Sequence, residues 1–249
     1  MNKNKKLLKS LVQERRNTKM TGVYKEYLNI GDVSPEFDND NSGYEYCITP
    51  ASKGACNPEV KVMVVLSDWI SQEGIDKVNE AGLMESLIDN GRITTGIGLN
   101  KTCKSLSATA RNNSNLDNKI INKHLGLRRQ DVYITNAFPF VKRGDMRSKI
   151  SNKVLNEASY FFKKQVEIIQ PKLVLVLGDA AKKVFNVCFK ISTTELDDNT
   201  SVLVSDKFTL TVSFMPHPSI YNQNKGVWAG ERFDKNRIIM SIINGDGTL

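Results

Sequence analysis

The chain has 249 residues, 40% hydrophobic and 25% charged, which suits one substantial core and is short for two full domains. Its 35 Lys and Arg against 27 Asp and Glu give a net charge of +8, a balance that favours a polyanionic partner such as nucleic acid or an anionic membrane surface. No run of about 18 apolar residues occurs, and Met1-Asn2-Lys3-Asn4-Lys5-Lys6 leads into a mixed, charged stretch rather than an apolar signal segment, so a soluble, cytoplasmic protein is expected.

In chain order, Leu7, Leu8, Leu11 and Val12 recur at helical spacing within residues 1–30, with Lys5, Lys6, Lys9, Arg15, Arg16 and Lys19 on the other faces. This is a basic amphipathic helix, either docked with a solvated Lys/Arg side or serving as a nucleic-acid arm. Residues 31–60 hold Asp32, Glu36, Asp38 and Asp40 among Gly, Pro, Asn and Ser, and predict an irregular acidic connection without a regular core. The four cysteines, Cys47, Cys56, Cys103 and Cys188, form no C-x-x-C pair, so no metal site is expected and free thiols are. Cys47 and Cys56 can approach across a loop, but a cytosolic setting argues against a permanent disulfide. Residues 1–59 thus read as a helical and irregular extension packed on a core formed by residues 60–249.

Four short apolar runs follow: Val60–Leu66, Val132–Thr135, Leu173–Leu177 and Leu210–Phe214. Their β-branched, nearly continuous apolar character suits buried parallel strands. Between them, Ser151 to Gln170 carries an apolar stripe of Val154, Leu155, Ala158, Phe161, Phe162, Val166 and Ile169, ended by Pro171. Trp69 to Gln130 is long enough for two or more helices. Alternating strands and helices predict a three-layer α/β/α fold around a central, mainly parallel four-stranded sheet.

In such a sheet the residues after each strand gather at one edge, where ligands bind. They are Ser67-Asp68-Trp69, Asn136, Gly178-Asp179, and His217-Pro218-Ser219 after Met215-Pro216. The set contains the groups of a hydrolytic site: a carboxylate to orient water or stabilise a developing cation, an amide to read a donor–acceptor edge, and an imidazole to stabilise a leaving anion. Each also has a plain role. Asp68 suits a helix N-cap, Asn136 a turn, His217 a cap on a backbone carbonyl, and Gly178-Asp179 the start of the helix from Ala180, which is the reading preferred for that pair.

The ordered motifs resemble the uracil-DNA glycosylase superfamily over roughly residues 60–240. The strongest is His217-Pro218-Ser219, followed by Ile220-Tyr221, then Lys225-Gly226-Val227-Trp228 and Phe233. Tyr133-Ile134-Thr135-Asn136-Ala137-Phe138 is similar to the strand that delivers the family's base-reading Asn, and Gln170 to Gly178 to its third strand. The first motif departs: where uracil-specific members often show Gly-Gln-Asp-Pro-Tyr-His, this chain has Leu66-Ser67-Asp68-Trp69-Ile70-Ser71. Asp68 occupies the acidic position, while the Tyr that screens out larger bases is absent. Ile70 in its place opens the pocket or Trp69 closes it; the sequence leaves the sign open.

The resemblance implies an N-glycosidase that flips a base out of DNA. Asp68 is then the water-orienting base and partner of the oxocarbenium-like sugar, and His217 the donor to the departing base. Asn136 reads the base edge, with Trp69 or Phe138 stacking on it. Ser67, Ser219 and Lys225 meet the DNA backbone, and Ile220 or Tyr221 fills the vacated stack. The expected substrate is uracil or a modified, bulkier pyrimidine such as a substituted cytosine, in repair or in defence against phage. No cofactor, metal, membrane or obligate protein partner is expected, and the protein is expected to be a monomer. A base-recognising module that does not cut the bond is the alternative. A nucleotide-binding enzyme is a weaker one, since no G-x-G-x-x-G or phosphate loop follows the first strand.

Overall fold

The computed structural model describes residues 3–40, 42–50, 56–94, 104–145, 149–189, 193–197, 200–204 and 208–219. In chain order these contain α1 (Lys3–Arg16), β1 (Tyr27–Leu28), α2 (Ile30–Val33), β2 (Val62–Leu66), α3 (Gln72–Glu80), α4 (Met84–Asn90), α5 (Lys104–Asn115), β3 (Val132–Asn136) and β4 (Val141–Lys142). They continue with α6 (Asn152–Ile169), β5 (Leu173–Leu177), α7 (Asp179–Cys188), β6 (Thr193–Asp197), β7 (Thr200–Val204) and β8 (Thr209–Met215).

The four apolar runs become β2, β3, β5 and β8, which lie in the order β3-β2-β5-β8 and are all parallel. An antiparallel hairpin, β7 with β6, extends the sheet beyond β8 to six strands. Strand alternation splits the apolar side chains between two faces. Met63, Val65, Tyr133, Val174, Val176, Leu210 and Val212 join one cluster with side chains of α1, α6 and α7. Val62, Val64, Val132, Ile134, Leu173, Leu175 and Leu177 join a second, closed by Leu116, Ile120, Ile121 and Leu125. Both faces are therefore covered, as a parallel sheet requires, and the architecture is three-layer α/β/α.

The second layer is formed by α5 and its continuation, Leu116–His124, which has π-helical hydrogen bonding. Such widened turns occur often beside functional sites. Helix α6 begins where Ser151 accepts a hydrogen bond from the Val154 backbone N–H and ends at Gln170 in the left-handed conformation, just before Pro171.

Helix α1 buries Leu8, Leu11 and Val12 against the first cluster, and its basic side is partly neutralised within the chain. Arg15, 1% exposed, makes a two-pronged ion pair with Asp38 at 2.7 and 2.5 Å, while Arg16 and Lys9 reach Asp40 at 2.9 and 3.3 Å. The acidic connection thus answers the basic helix, which favours the docked reading over a free nucleic-acid arm.

Two expectations for this region are corrected. The irregular connection does carry core residues: Phe37, Tyr44 and Ile48 are buried in the first cluster. No periodicity betrays them because each is placed by a turn rather than by a repeating element. Cys47 and Cys56 are also joined in a disulfide rather than standing as free thiols, their Cα atoms 5.3 Å apart across the loop. Just before Cys47, the Tyr46 carbonyl accepts from Tyr133 Oη of β3 at 3.0 Å.

Candidate active site

The carboxyl ends of β2, β3 and β8 converge on a cavity of about 200 Å³ whose lining includes Asp68, Asn136 and His217. Register explains the meeting: Leu66 pairs with Asn136 across β2 and β3, and Leu177 with Met215 across β5 and β8, so the following residues emerge at one edge.

The plain role for Asp68 does not hold. The N-cap of α3 is Ser71, whose hydroxyl accepts from the Gly74 backbone N–H at 3.2 Å. Asp68 instead pairs through Oδ2 with Lys142 Nζ at 2.8 Å, the lysine side chain being almost fully enclosed. Lys142 reaches it because Val141-Lys142 forms β4 against β1 and Lys142 bridges to Ser71. Sequence reasoning missed this group; the signal was a lone ammonium ending the apolar run Phe138-Pro139-Phe140-Val141.

His217 sits opposite in an enclosed position. Burial lowers its pKa below the ordinary imidazole value of 6.5, opposed by the negative charge of Asp68, which favours the neutral ring. Its turn is held by Asn115, whose Nδ2 donates to the Pro218 carbonyl at 3.2 Å, and by the Ser219 N–H, which donates to the His217 carbonyl at 2.8 Å. Gly178 makes room for it. With φ of +90°, Gly178 starts α7, and a Cβ there would lie 3.3 Å from the His217 Cβ. Gly178→Ala is therefore expected to cost about 1–3 kcal/mol through backbone strain and to slow any reaction that depends on His217. Denaturant midpoints and single-turnover rates measured side by side would show both losses.

Asn136 is 3% exposed, with its backbone N–H and Nδ2 both donating to Thr49 Oγ1, at 3.2 and 3.0 Å. Its Oδ1 is buried without a partner, which is an unusual state for a buried carbonyl, in a residue that lines the cavity. Trp69 also lines the cavity, fixed by its indole N–H to the Gly91 carbonyl at 3.0 Å and edge-on to Phe37.

Phe138 does not take the stacking place expected of it. It is fully buried in the core, edge-on to Tyr27 and Phe140, and outside the cavity lining, because the turn after β3 directs it back into the first cluster. Ser67 lies beside the cavity rather than in its lining, its carbonyl accepting from the Phe138 N–H at 2.9 Å. Ile220, Tyr221 and Lys225 lie outside the described residues.

The rest of the lining comes from α4, α5 and the loops beside them, and was not read from the sequence. Arg92 and Arg129 converge on Asp117, Arg92 at 2.9 Å and Arg129 through a short contact to the other carboxylate oxygen. Burial brings the Arg129 guanidinium down to about 10, with Asp117 opposing the shift. Thr109, Asn112 and Asn113 add polar groups, and Asn113 Nδ2 holds the Ile93 carbonyl at 2.9 Å.

The profile of the uracil DNA glycosylase superfamily matches residues 79–238, well over half of the chain. The chain belongs to that superfamily. Membership places it among the DNA glycosylases, hydrolases that act on DNA. The match takes in Asn136 and His217 and begins after β2, so the case for Asp68 rests on the geometry of the cavity. Among curated proteins none matches the chain.

Proposed function

We propose that the protein hydrolyses the N-glycosidic bond of a flipped uracil or modified pyrimidine in DNA, leaving an abasic site, in base-excision repair or in defence against phage with modified DNA. The observation that carries this reading is the convergence of Asp68, Asn136 and His217 on one cavity. Bond cleavage leaves positive charge on the sugar and negative charge on the base, and a site for it must serve both signs. Asp68 supplies a carboxylate to orient water and stabilise the oxocarbenium-like sugar; His217 donates its N–H to the base anion as charge develops there. Asn136 holds the base edge through its side-chain amide, with Trp69 against the ring. Ser67, Ser219 and Lys225 are assigned to the DNA backbone, and Ile220 or Tyr221 to the gap left in the stack.

Two features support a base larger than uracil. Ile70 lines the cavity at a position where uracil-specific members often carry an excluding Tyr, and Thr109, Asn112 and Asn113 add polar groups that a bare pyrimidine edge does not need. Mass spectrometry of free bases released from uracil-containing DNA and from DNA with substituted cytosines tests the proposal. Release of one of these bases is expected; intact DNA throughout, with a gel shift, would favour the binding module.

The neutral state of His217 carries a pH signature. Burial moves the titration of the imidazole below its ordinary range, so protonation begins at lower pH than in a free histidine. A His-dependent step in the single-turnover rate is expected at lower pH than a free imidazole would give, and it should disappear in His217→Gln.

A further inference from the structure

We propose that Thr49, from the irregular N-terminal connection, is the positioning residue that fixes the side-chain amide of Asn136 and thereby sets which pyrimidine edge the site accepts. This rests on the reading of Asn136 as the base reader. Thr49 is 1% exposed, and its hydroxyl oxygen accepts two hydrogen bonds from the same residue: the backbone N–H of Asn136 at 3.2 Å and its Nδ2 at 3.0 Å. The first ties the hydroxyl to the end of β3; the second ties the amide nitrogen to the hydroxyl. The amide oxygen is thereby turned away from Thr49, and it is the buried atom without a partner in a residue that lines the cavity.

An amide held in this way presents one acceptor and one remaining N–H in a fixed order. A uracil-type base offers a donor at N3 beside an acceptor at O4; a cytosine-type base offers a donor at N4 beside an acceptor at N3. The two edges present donor and acceptor in opposite order, so a base seated in one pose matches only one amide orientation. An amide free to turn over would match both. Discrimination at position 4 of the ring therefore depends on a hydroxyl that touches no substrate. Thr49 is held in turn by its surroundings, with Ile48 buried beside it and Cys47 tied to Cys56.

The test uses the full-length protein and oligonucleotides carrying a single uracil, cytosine, thymine or 5-methylcytosine, compared as the pairs uracil with cytosine and thymine with 5-methylcytosine, whose members differ in the group at position 4. Single-turnover excision rates are measured for wild type, Thr49→Val, Thr49→Ser and Asn136→Ala, with melting temperatures alongside. Thr49→Val is expected to narrow the ratio between the favoured and disfavoured member of a pair by about tenfold, the scale of one hydrogen bond to a buried group, while Thr49→Ser keeps the wild-type ratio. A Thr49→Val protein that loses rate equally on both members, or loses nothing, overturns the proposal, provided that Asn136→Ala abolishes the discrimination. If Asn136→Ala leaves rate and ratio unchanged, it is the base-reading role of Asn136 that fails. Should Thr49→Val fold poorly, Thr49→Ala removes the same hydroxyl without adding bulk, and the same narrowing of the ratio is expected from it.

Discussion

Asp68→Asn is expected to lower the single-turnover rate of base release by about 10²–10³, the usual cost of removing one preorganised electrostatic group, and to cost some stability as well, because the enclosed Lys142 ammonium loses its counter-charge. The substitution preserves size and leaves an oxygen to accept from Lys142, so what it removes is the negative charge facing the cavity. That charge has two competing explanations. As the partner of a developing sugar cation, its loss falls on the chemical step and leaves DNA affinity nearly unchanged. As no more than the counter-ion of Lys142, 2.8 Å away, its loss falls on stability and leaves turnover near normal. Rate and melting temperature measured on the same preparation separate the two.

Lys142→Met is expected to produce the largest loss of stability. The Lys142 side chain is 5% exposed and that of Asp68 24%, so removing the ammonium leaves a partly buried carboxylate without its counter-ion. Breaking a fully buried pair costs about 3–5 kcal/mol. The partial exposure of Asp68 places this pair at or below the lower end of that range, because water screens part of the charge. For a chain of this size that corresponds to a fall of at most about 6–12 °C in Tm. Adding Asp68→Asn to Lys142→Met removes the second charge and should return part of the stability without returning activity. An unchanged Tm in the single variant would mean that the pair contributes nothing to the fold.

The scaffold was legible because its parallel strands are short runs rich in apolar and β-branched residues. Leu173–Leu177 has the predicted ends, and the others differ by one or two residues. Asp68, Asn136 and His217 were legible for a related reason, since residues that follow parallel strands must meet at one edge. The hairpin was not, because Thr193–Asp197 of β6 has no apolar run to announce a strand and the run in β7, Val202-Leu203-Val204, is only three residues long. Nor were Thr49 and Lys142. Each meets its partner across 87 and 74 residues of chain respectively, and no local pattern records which turn will carry a hydroxyl to β3 or which short strand will carry an ammonium to Asp68. Phe138 shows the converse error: an aromatic residue two positions after the base-reading Asn looked like a stacking platform, whereas the turn sends it into the core.

Whether this cavity breaks a glycosidic bond or only holds a base is decided most directly by the formation of alkali-labile abasic sites. The substrate is a defined oligonucleotide carrying the target base, with wild type, Asp68→Asn and His217→Gln compared at equal bound fraction. Strand scission after alkali is expected for wild type, with its loss by at least about 10² in both variants. A gel shift by all three proteins with no alkali-labile product from wild type would contradict the assignment of this cavity as a glycosylase site.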